Sequence, residues 1–445
     1  MNLSRMLGRR AEEGRPIRVG IIGGGKFGSM YLTQARLTKG IHILGIADLN
    51  PPRLKQTLAR AGWPDSQSSA TSFTDAYTSG KTFITDSADA LITAGGLDVL
   101  IDATGDPAAG IRHCLKAIDY GRHVVMVNVE ADALAGPLLA KRAEAQGLVY
   151  SLAWGDQPAL IAEHVDWART CGFKVVCAGK GTRYLPTYHQ LTPDTVWDTL
   201  QTYLALKDPN QINLKMFNSF LDGTKSGIEM TAVSNATGLV PQENGLSFPP
   251  ASRFELSSVC KPKEFGGTLT SSGTTEVVSS LTRDGKDIPH HLAMGTYVVI
   301  EGETDYARQC FTEYHMLEDD SGQFAALYRP THMIGMELGL SVASAVLRAE
   351  PTGSPIGFHS DVVATTKKAM RKGEVLDGEG GFTVWGKQCP ASTSLARGYL
   401  PLGLASHVAL KRDVGEGEML TWDDVILDTS DMAYRFRREM EAAFS

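Results

Sequence analysis

Two carboxylates flank a lysine in the run Asn218-Ser219-Phe220-Leu221-Asp222-Gly223-Thr224-Lys225-Ser226-Gly227-Ile228-Glu229. Asp222 and Lys225 bracket a Gly-Thr turn, and Lys225 and Glu229 share one face if a helix has begun. A lysine in that company can protonate a developing alkoxide, with a carboxylate setting its orientation. On an exposed helix the same spacing would be an ion pair of little energy. The polar run continues through Ser234, Asn235 and Thr237, so Asn218, Thr224 and Asn235 join the candidate substrate contacts. Lys180 and Arg183 follow the apolar stretch Phe173 to Ala178 and could hold an anionic group. Arg329 and His332 form a third set, with helix capping as their plainer use.

A second constellation is made of glycine. Ile17-Arg18-Val19-Gly20-Ile21-Ile22 runs into Gly23-Gly24-Gly25-Lys26-Phe27-Gly28, a G-x-G-x-x-G turn between a buried strand and a helix. In that setting Gly23 makes the tight turn, Gly25 lets the backbone approach a pyrophosphate, and Gly28 lets helix and strand pack closely. Lys26 and Phe27 complete the loop, and the helix start offers unpaired N–H groups to phosphates. Asp48 ends the next apolar strand, about 20 residues past the last glycine, where a carboxylate meets a ribose 2′-OH and disfavours a 2′-phosphate. Arg53 lies close behind and could hold that phosphate instead, so the pattern points to NAD and NADP alike. Two later strands end in Asp102-Ala103-Thr104-Gly105 and in Asn128-Val129-Glu130. Thr104, Gly105 and Asn128 are the expected contacts to a nicotinamide ring, with Asp106 a cap for the helix from Pro107.

The elements that must position these groups are legible as a strand–helix alternation from Pro16 to Ala153, which argues for a doubly wound parallel sheet. A polar segment, Ala61 to Ser79, interrupts it and reads as a surface insertion or a lid. Around Trp154 to Pro158 the character changes, and an α+β region of less regular period follows to Leu347. After the linker-like Gly353-Ser354-Pro355 come short apolar runs separated by glycine turns, including the similar phrases Lys372-Gly373-Glu374-Val375-Leu376 and Gly415-Glu416-Gly417-Glu418-Met419-Leu420. These predict a small β-rich module. The expected domains are 1–155, 156–352 and 353–445.

A chain of 445 residues with net charge −7 and no basic tract or acidic tail lends no support to nucleic-acid or membrane-surface binding. Its six cysteines, without a C-x-x-C pair, read as buried thiols of a cytoplasmic protein. Metalloprotease, esterase-like and P-loop motifs are missing. A divalent cation, Mg or Mn, held by Asp156, Asp222 or Glu229 cannot be read from spacing.

Gly23 to Gly28, Gly155-Asp156-Gln157-Pro158, Asp222-Gly223-Thr224-Lys225 and Tyr328-Arg329-Pro330-Thr331-His332 together resemble the homoserine-dehydrogenase-like oxidoreductases that carry a C-terminal SAF domain. Gly373-Glu374-Val375-Leu376-Asp377-Gly378-Glu379-Gly380-Gly381 and Leu400-Pro401-Leu402-Gly403-Leu404-Ala405 resemble that module. Within the group the chain is most similar to the DXR-like (DRL) class of 1-deoxy-D-xylulose 5-phosphate reductoisomerase. The resemblance implies a Rossmann domain, a central catalytic and dimerisation domain and a SAF-like domain, in a homodimer. It also implies NADPH-dependent formation of 2-C-methyl-D-erythritol 4-phosphate, in the MEP pathway to isoprenoids. Lys225 would then move the proton with Asp222 and Glu229 in support, and Lys180, Arg183 or Arg329 would hold the phosphate. Asn128, Glu130, Asp156 and Gln157 would line the junction of nicotinamide and substrate. Homoserine dehydrogenases have an Asn-Lys pair where this chain has Asn128-Val129, which argues against homoserine itself. The alternatives are a related NAD(P)-dependent oxidoreductase with another small polar or phosphorylated substrate, and a non-catalytic dinucleotide sensor.

Overall fold

Six strands alternate with helices in the first part of the chain: β1 (Ile17–Ile22), β2 (Ile41–Ala47), β3 (Phe83–Thr85), β4 (Val99–Asp102), β5 (His123–Met126) and β6 (Tyr150–Leu152). The computed structural model describes residues 2–204, 208 and 212–444, and divides into two compact units. One unit holds Met1–Leu160 with Met333–Ile356, the other Ile161–His332 with Gly357–Ser445. In the first, all six strands are parallel in the order β3-β2-β1-β4-β5-β6. Strands covered on both faces read as unbroken apolar runs, which is why this sheet was visible as a pattern. Chain order reverses between β1 and β4, the place where such sheets open a ligand crevice at their carboxyl ends.

The expected elements need some adjustment. The N-terminal stretch is a helix, Leu3–Glu12, anchored by buried Leu3 and Leu7. Ala61 to Ser79 has structure of its own. It contains a helix, Phe73–Ser79, capped by the Ser72 hydroxyl, with Phe73 edge-on to Phe83 at 4.8 Å. The apolar run from Met333 becomes helical only at Gly339–Arg348, and Val342 and Ala343 share a core with Val19 and Ile101 of the parallel sheet. No local pattern announces that return of the chain to the first unit.

The second unit is built on a mixed sheet of β7 (Lys174–Thr182), β8 (Val240–Pro241), β9 (Thr274–Ser279), β10 (Thr296–Glu301), β11 (Leu317–Glu318) and β12 (Phe324–Arg329). Its order is β11-β12-β10-β7-β9-β8. Val298 and Ile300 face one apolar cluster, with Ile161 and Val165 of one helix and Met230 and Val233 of another. Tyr297 and Val299 face a second cluster. The C-terminal strands pack in this unit: β13 (Ser360–Thr366) pairs antiparallel with β15 (Val384–Pro390), and β14 (Val375–Asp377), β16 (Ser406–Leu410) and β17 (Val425–Ile426) form a small antiparallel sheet. Met419 and Thr421 make isolated bridges, to Thr365 and Tyr399 respectively. The two similar phrases are one device used twice. Glu374 accepts from the Arg371 N–H and Glu418 from the Gly415 N–H, both at 2.8 Å, while Met370 and Val414 exchange backbone bonds between the two turns. No helix among the described residues is long and apolar enough to cross a membrane.

Candidate functional site

The loop after β1 has the geometry its glycines require. Gly23 turns with φ of 98°, and a Cβ there would stand 2.6 Å from the Ala103 carbonyl. A Cβ on Gly28 would lie 2.2 Å from the Gly23 carbonyl, so only glycine lets this helix start so close to the strand. At Gly25 nothing lies within 4 Å of such a Cβ. Lys26 is exposed and Phe27 half-buried at the start of the Lys26–Ala35 helix. An open, glycine-floored helix start at the sheet's switch point fits a dinucleotide pyrophosphate.

Asp48 is largely committed to this loop. One carboxylate oxygen accepts from the Gly24 N–H and the other from the Asn50 N–H, both at 2.8 Å. The Arg53 guanidinium stands 3.9 Å away and is 63% exposed. At the neighbouring strand ends, Asp102 is fully buried and gathers Thr104 Oγ1 at 2.8 Å, Asn128 Nδ2 at 3.2 Å and His113 Nδ1 at 2.7 Å. Asn128 also donates to the Asp106 carbonyl and caps its own helix by accepting from the Ala131 N–H. The side chains of Thr104 and Asn128, expected as cofactor contacts, thus also hydrogen-bond to each other and within this strand-end cluster. Gly105 remains open, with φ of 72° and nothing within 4 Å of a Cβ. Glu130 lies half-buried in the first turn of the Val129–Ala145 helix. Asp156 and Gln157 are buried, and Asp156 accepts from the Gln157 N–H at 2.9 Å.

In the second unit, strand register brings Lys180 of β7, Thr296 of β10 and Arg329 of β12 into one row. Partners directly opposite in antiparallel pairs share a face, here the face shared with Val298 and Ile300. From the Gln157–Thr170 helix, His164 Nε2 meets Thr296 Oγ1 at 3.1 Å. Burial, with the positive charge of Arg329 nearby, pushes the His164 pKa down to about 4, so the ring is neutral at physiological pH. From the Thr224–Thr237 helix, buried Glu229 pairs with buried Lys180. Lys225 is one turn earlier on the same helix face and 8% exposed. The cluster therefore offers lysine and arginine cations, a carboxylate and a neutral imidazole, groups able to hold an anionic substrate and move a proton.

Several expected substrate contacts are internal ties instead. Asp222 does not support Lys225: it is fully buried, paired with Lys367 Nζ at 2.7 Å, and accepts from the Thr224 N–H at 2.9 Å. Glu229 likewise answers Lys180 rather than Lys225, four residues away. Thr224 Oγ1 accepts from the Gly386 N–H, Asn218 donates to the Leu191 and Gly380 carbonyls, and Asn235 accepts from the His359 and Ser360 N–H groups. The Thr224–Thr237 helix is buried on nearly every side, between the mixed sheet and β13–β15, so its polar atoms must find partners within the protein. Arg183 leaves the cluster as well, bound to Asp287 at 2.5 Å with its guanidinium 4.7 Å from the Tyr203 ring centre.

His164, Thr296 and Lys367 went unnoticed in the sequence because each acquires its role from a partner distant in the chain. Glu276 is another such hub: it is buried, accepts from Gln242, from Ser247 and from the Phe248 and Val277 N–H groups, and burial raises its pKa. Among the described residues no group of three or more His, Cys, Asp and Glu side chains could hold a metal ion.

No curated protein matches the chain. Among solved structures it resembles biliverdin reductase from Synechocystis sp. PCC 6803, in complex with biliverdin and NADP+, at 18% identity, covering 38% of this chain and 48% of that one with a TM-score of 0.27. An oxidoreductase from Agrobacterium radiobacter, in complex with NAD+, L-tartaric acid and magnesium, resembles it at 17% identity over 38% of this chain and 44% of that one, with a TM-score of 0.27. The chain thus spans less than half the length of either. A dipicolinate-bound dihydrodipicolinate reductase from Paenisporosarcina sp. TG-14 aligns at 12% identity over 76% of this chain and 97% of that one, with a TM-score of 0.36. The Lys180, Thr296 and Arg329 row, with Glu229 and His164, lies inside residues 155–338, the stretch that matches the family model described as oxidoreductase DRL, catalytic domain.

Proposed function

We propose that this protein is an NADPH-dependent reductoisomerase that converts 1-deoxy-D-xylulose 5-phosphate to 2-C-methyl-D-erythritol 4-phosphate, a step toward isoprenoid precursors. The observation that carries the reading is the match of residues 155–338 to the DRL oxidoreductase catalytic domain. The glycine loop at the switch point of a parallel sheet is what a dinucleotide requires, and when bound the nicotinamide supplies hydride. Gly25 and the helix start would meet the pyrophosphate, and the backbone at Gly105 would approach the nicotinamide side. Asp48 has each carboxylate oxygen on a backbone N–H, which explains why a carboxylate here need not select NAD. Exposed Arg53 is the residue for a 2′-phosphate.

In this reading Lys180 and Arg329 neutralise the substrate phosphate and Lys225 gives a proton to the developing alkoxide. Neutral His164, set by Thr296, donates or accepts a hydrogen bond without adding charge. Glu229 positions Lys180. Supplying deoxyxylulose phosphate with NADPH and following the cofactor absorbance, with the product identified by mass and chromatography, tests the reading. Stoichiometric formation of methylerythritol phosphate is expected, and absence of cofactor oxidation by well-folded protein overturns it. The Lys180 and Arg329 row would serve any small phosphorylated substrate, so simple reduction of another phosphorylated carbonyl compound is the second reading. Arg53→Gln should lower kcat/KM with NADPH by roughly tenfold, one charge-assisted contact, and leave NADH unchanged.

A further inference from the structure

At the amino ends of β1 and β2, the sheet edge opposite the glycine loop, lies a cavity of about 630 Å³ that no step of the proposed reaction uses. Its volume is in the range of small-molecule sites. Arg18, Arg36 and His42 line it, and among the described residues no Asp or Glu does. The Arg18 guanidinium stacks on Tyr77 at 3.9 Å, and its Nε is buried with no hydrogen-bond partner. Asp98 accepts from the Arg18 backbone N–H at 2.8 Å, not from the guanidinium. Among the described residues Arg36 donates from Nε alone, to the Ala61 carbonyl at 3.3 Å. His42 is engaged by the Lys81 carbonyl at 2.8 Å, and burial lowers its pKa, so the positive charge here is that of the two guanidinium groups. The Trp63 indole N–H is satisfied by the Leu32 carbonyl, which leaves its ring, with Pro64 and Ile43, as an apolar wall.

A guanidinium stacked on an aromatic ring keeps its edge free for bidentate contact with a carboxylate or phosphate. We propose that this cavity binds a small organic anion, its charged head on Arg18 and Arg36 and its apolar body against Trp63, Pro64 and Ile43. The polar Ala61 to Ser79 segment, which supplies Trp63 and Tyr77, then serves as the wall of a second binding site. Gly23 lies five residue steps beyond Arg18 along the strand, roughly 16 Å, so the site is distinct from the dinucleotide loop.

Calorimetric titration of the full-length protein with phenyl phosphate, benzoate and inorganic phosphate, each with and without saturating NADPH, tests this independently of the proposed reaction. One saturable site for phenyl phosphate or benzoate is expected, with the tighter of the two identifying the head group, and NADPH leaving the affinity unchanged. Arg18→Gln should weaken it roughly tenfold or more, the loss of one charge-assisted contact. Arg36→Gln, at an exposed position that does not endanger folding, should weaken it severalfold. No saturable binding at millimolar ligand, wild-type affinity in Arg36→Gln or in a folded Arg18→Gln, or displacement by NADPH would overturn the site. Inorganic phosphate binding as tightly as the ring-bearing anions would overturn the apolar wall's part in it.

Discussion

At the carboxyl edge of the parallel sheet the groups presented to a ligand are backbone N–H groups and bare glycine surface. In the second unit the candidate groups are side chains on strands and helices, Lys180 paired with Glu229 and Thr296 with His164, partners far apart in sequence. Gly23, Gly25 and Gly28 act through what they lack, and their spacing is local. Lys180, Thr296 and Arg329 offer charge and hydrogen bonds and are assembled by strand register, while Glu229 reaches Lys180 from a helix. A backbone site is therefore cheap to recognise and hard to redirect. A side-chain site can sit amid look-alikes such as Asp222 and Asn218, whose work is to hold the interior together.

That contrast can be broken in four ways. Lys367→Met should have the largest effect, about 3–5 kcal/mol of stability, because Asp222 would be left buried and uncompensated. Urea unfolding measures it, and Asp222→Asn combined with Lys367→Met should recover part of the loss. A loss under about 1 kcal/mol would mean that the pair does not hold the polar interior. Lys180→Met should reduce turnover at least about 10²-fold, near 3 kcal/mol of barrier. If the variant unfolds at a lower urea concentration yet keeps full activity, Lys180 belongs with the structural ties.

Within the glycine loop, Gly28→Ala should cost about 1–3 kcal/mol of stability, since its Cβ would collide with the Gly23 carbonyl. Gly25→Ala should leave the unfolding midpoint in place and weaken NADPH binding. Equal stability losses in the two variants would sink the distinction between a packing glycine and a ligand-facing one. The smallest effect is in pH dependence. His164 in the folded protein protonates only near pH 4, whereas in the unfolded chain it does so near its ordinary value of 6.5. The unfolded state thus binds more protons between those values, so this stability is full above about pH 6.5 and lost as pH falls toward 4. Between pH 7 and 5.5 the loss is about 1 kcal/mol, and His164→Phe should flatten the profile by that amount. An unchanged slope in the variant would place His164 in contact with water.

The strand–helix rhythm and the glycine spacing were legible because each depends on neighbours within a turn or two, as in β1 and the loop that follows it. Asp48 was legible as a position but not as a state: that both its oxygens take backbone N–H groups depends on how the Gly24 and Asn50 segments meet. The run from Asn218 to Asn235 looked like a site because it gathers a lysine, two carboxylates and several amide and hydroxyl side chains in a short stretch. It proved mostly to be wiring, since a helix covered on both sides must pair every polar atom it buries. His164 and Lys367 carried no local mark.

Sequence by itself determined the parallel sheet, the ligand-ready turn after β1 and the supply of lysine–carboxylate sets, because periodicity and glycine placement are written in short stretches of chain. Tertiary structure alone decided which lysine meets which carboxylate, that Met333–Ile356 returns to the first unit, and that two guanidinium groups line a cavity without a carboxylate. The reason is physical. Burial and long-range register fix charge pairing, and neither is encoded within one turn of helix or one strand.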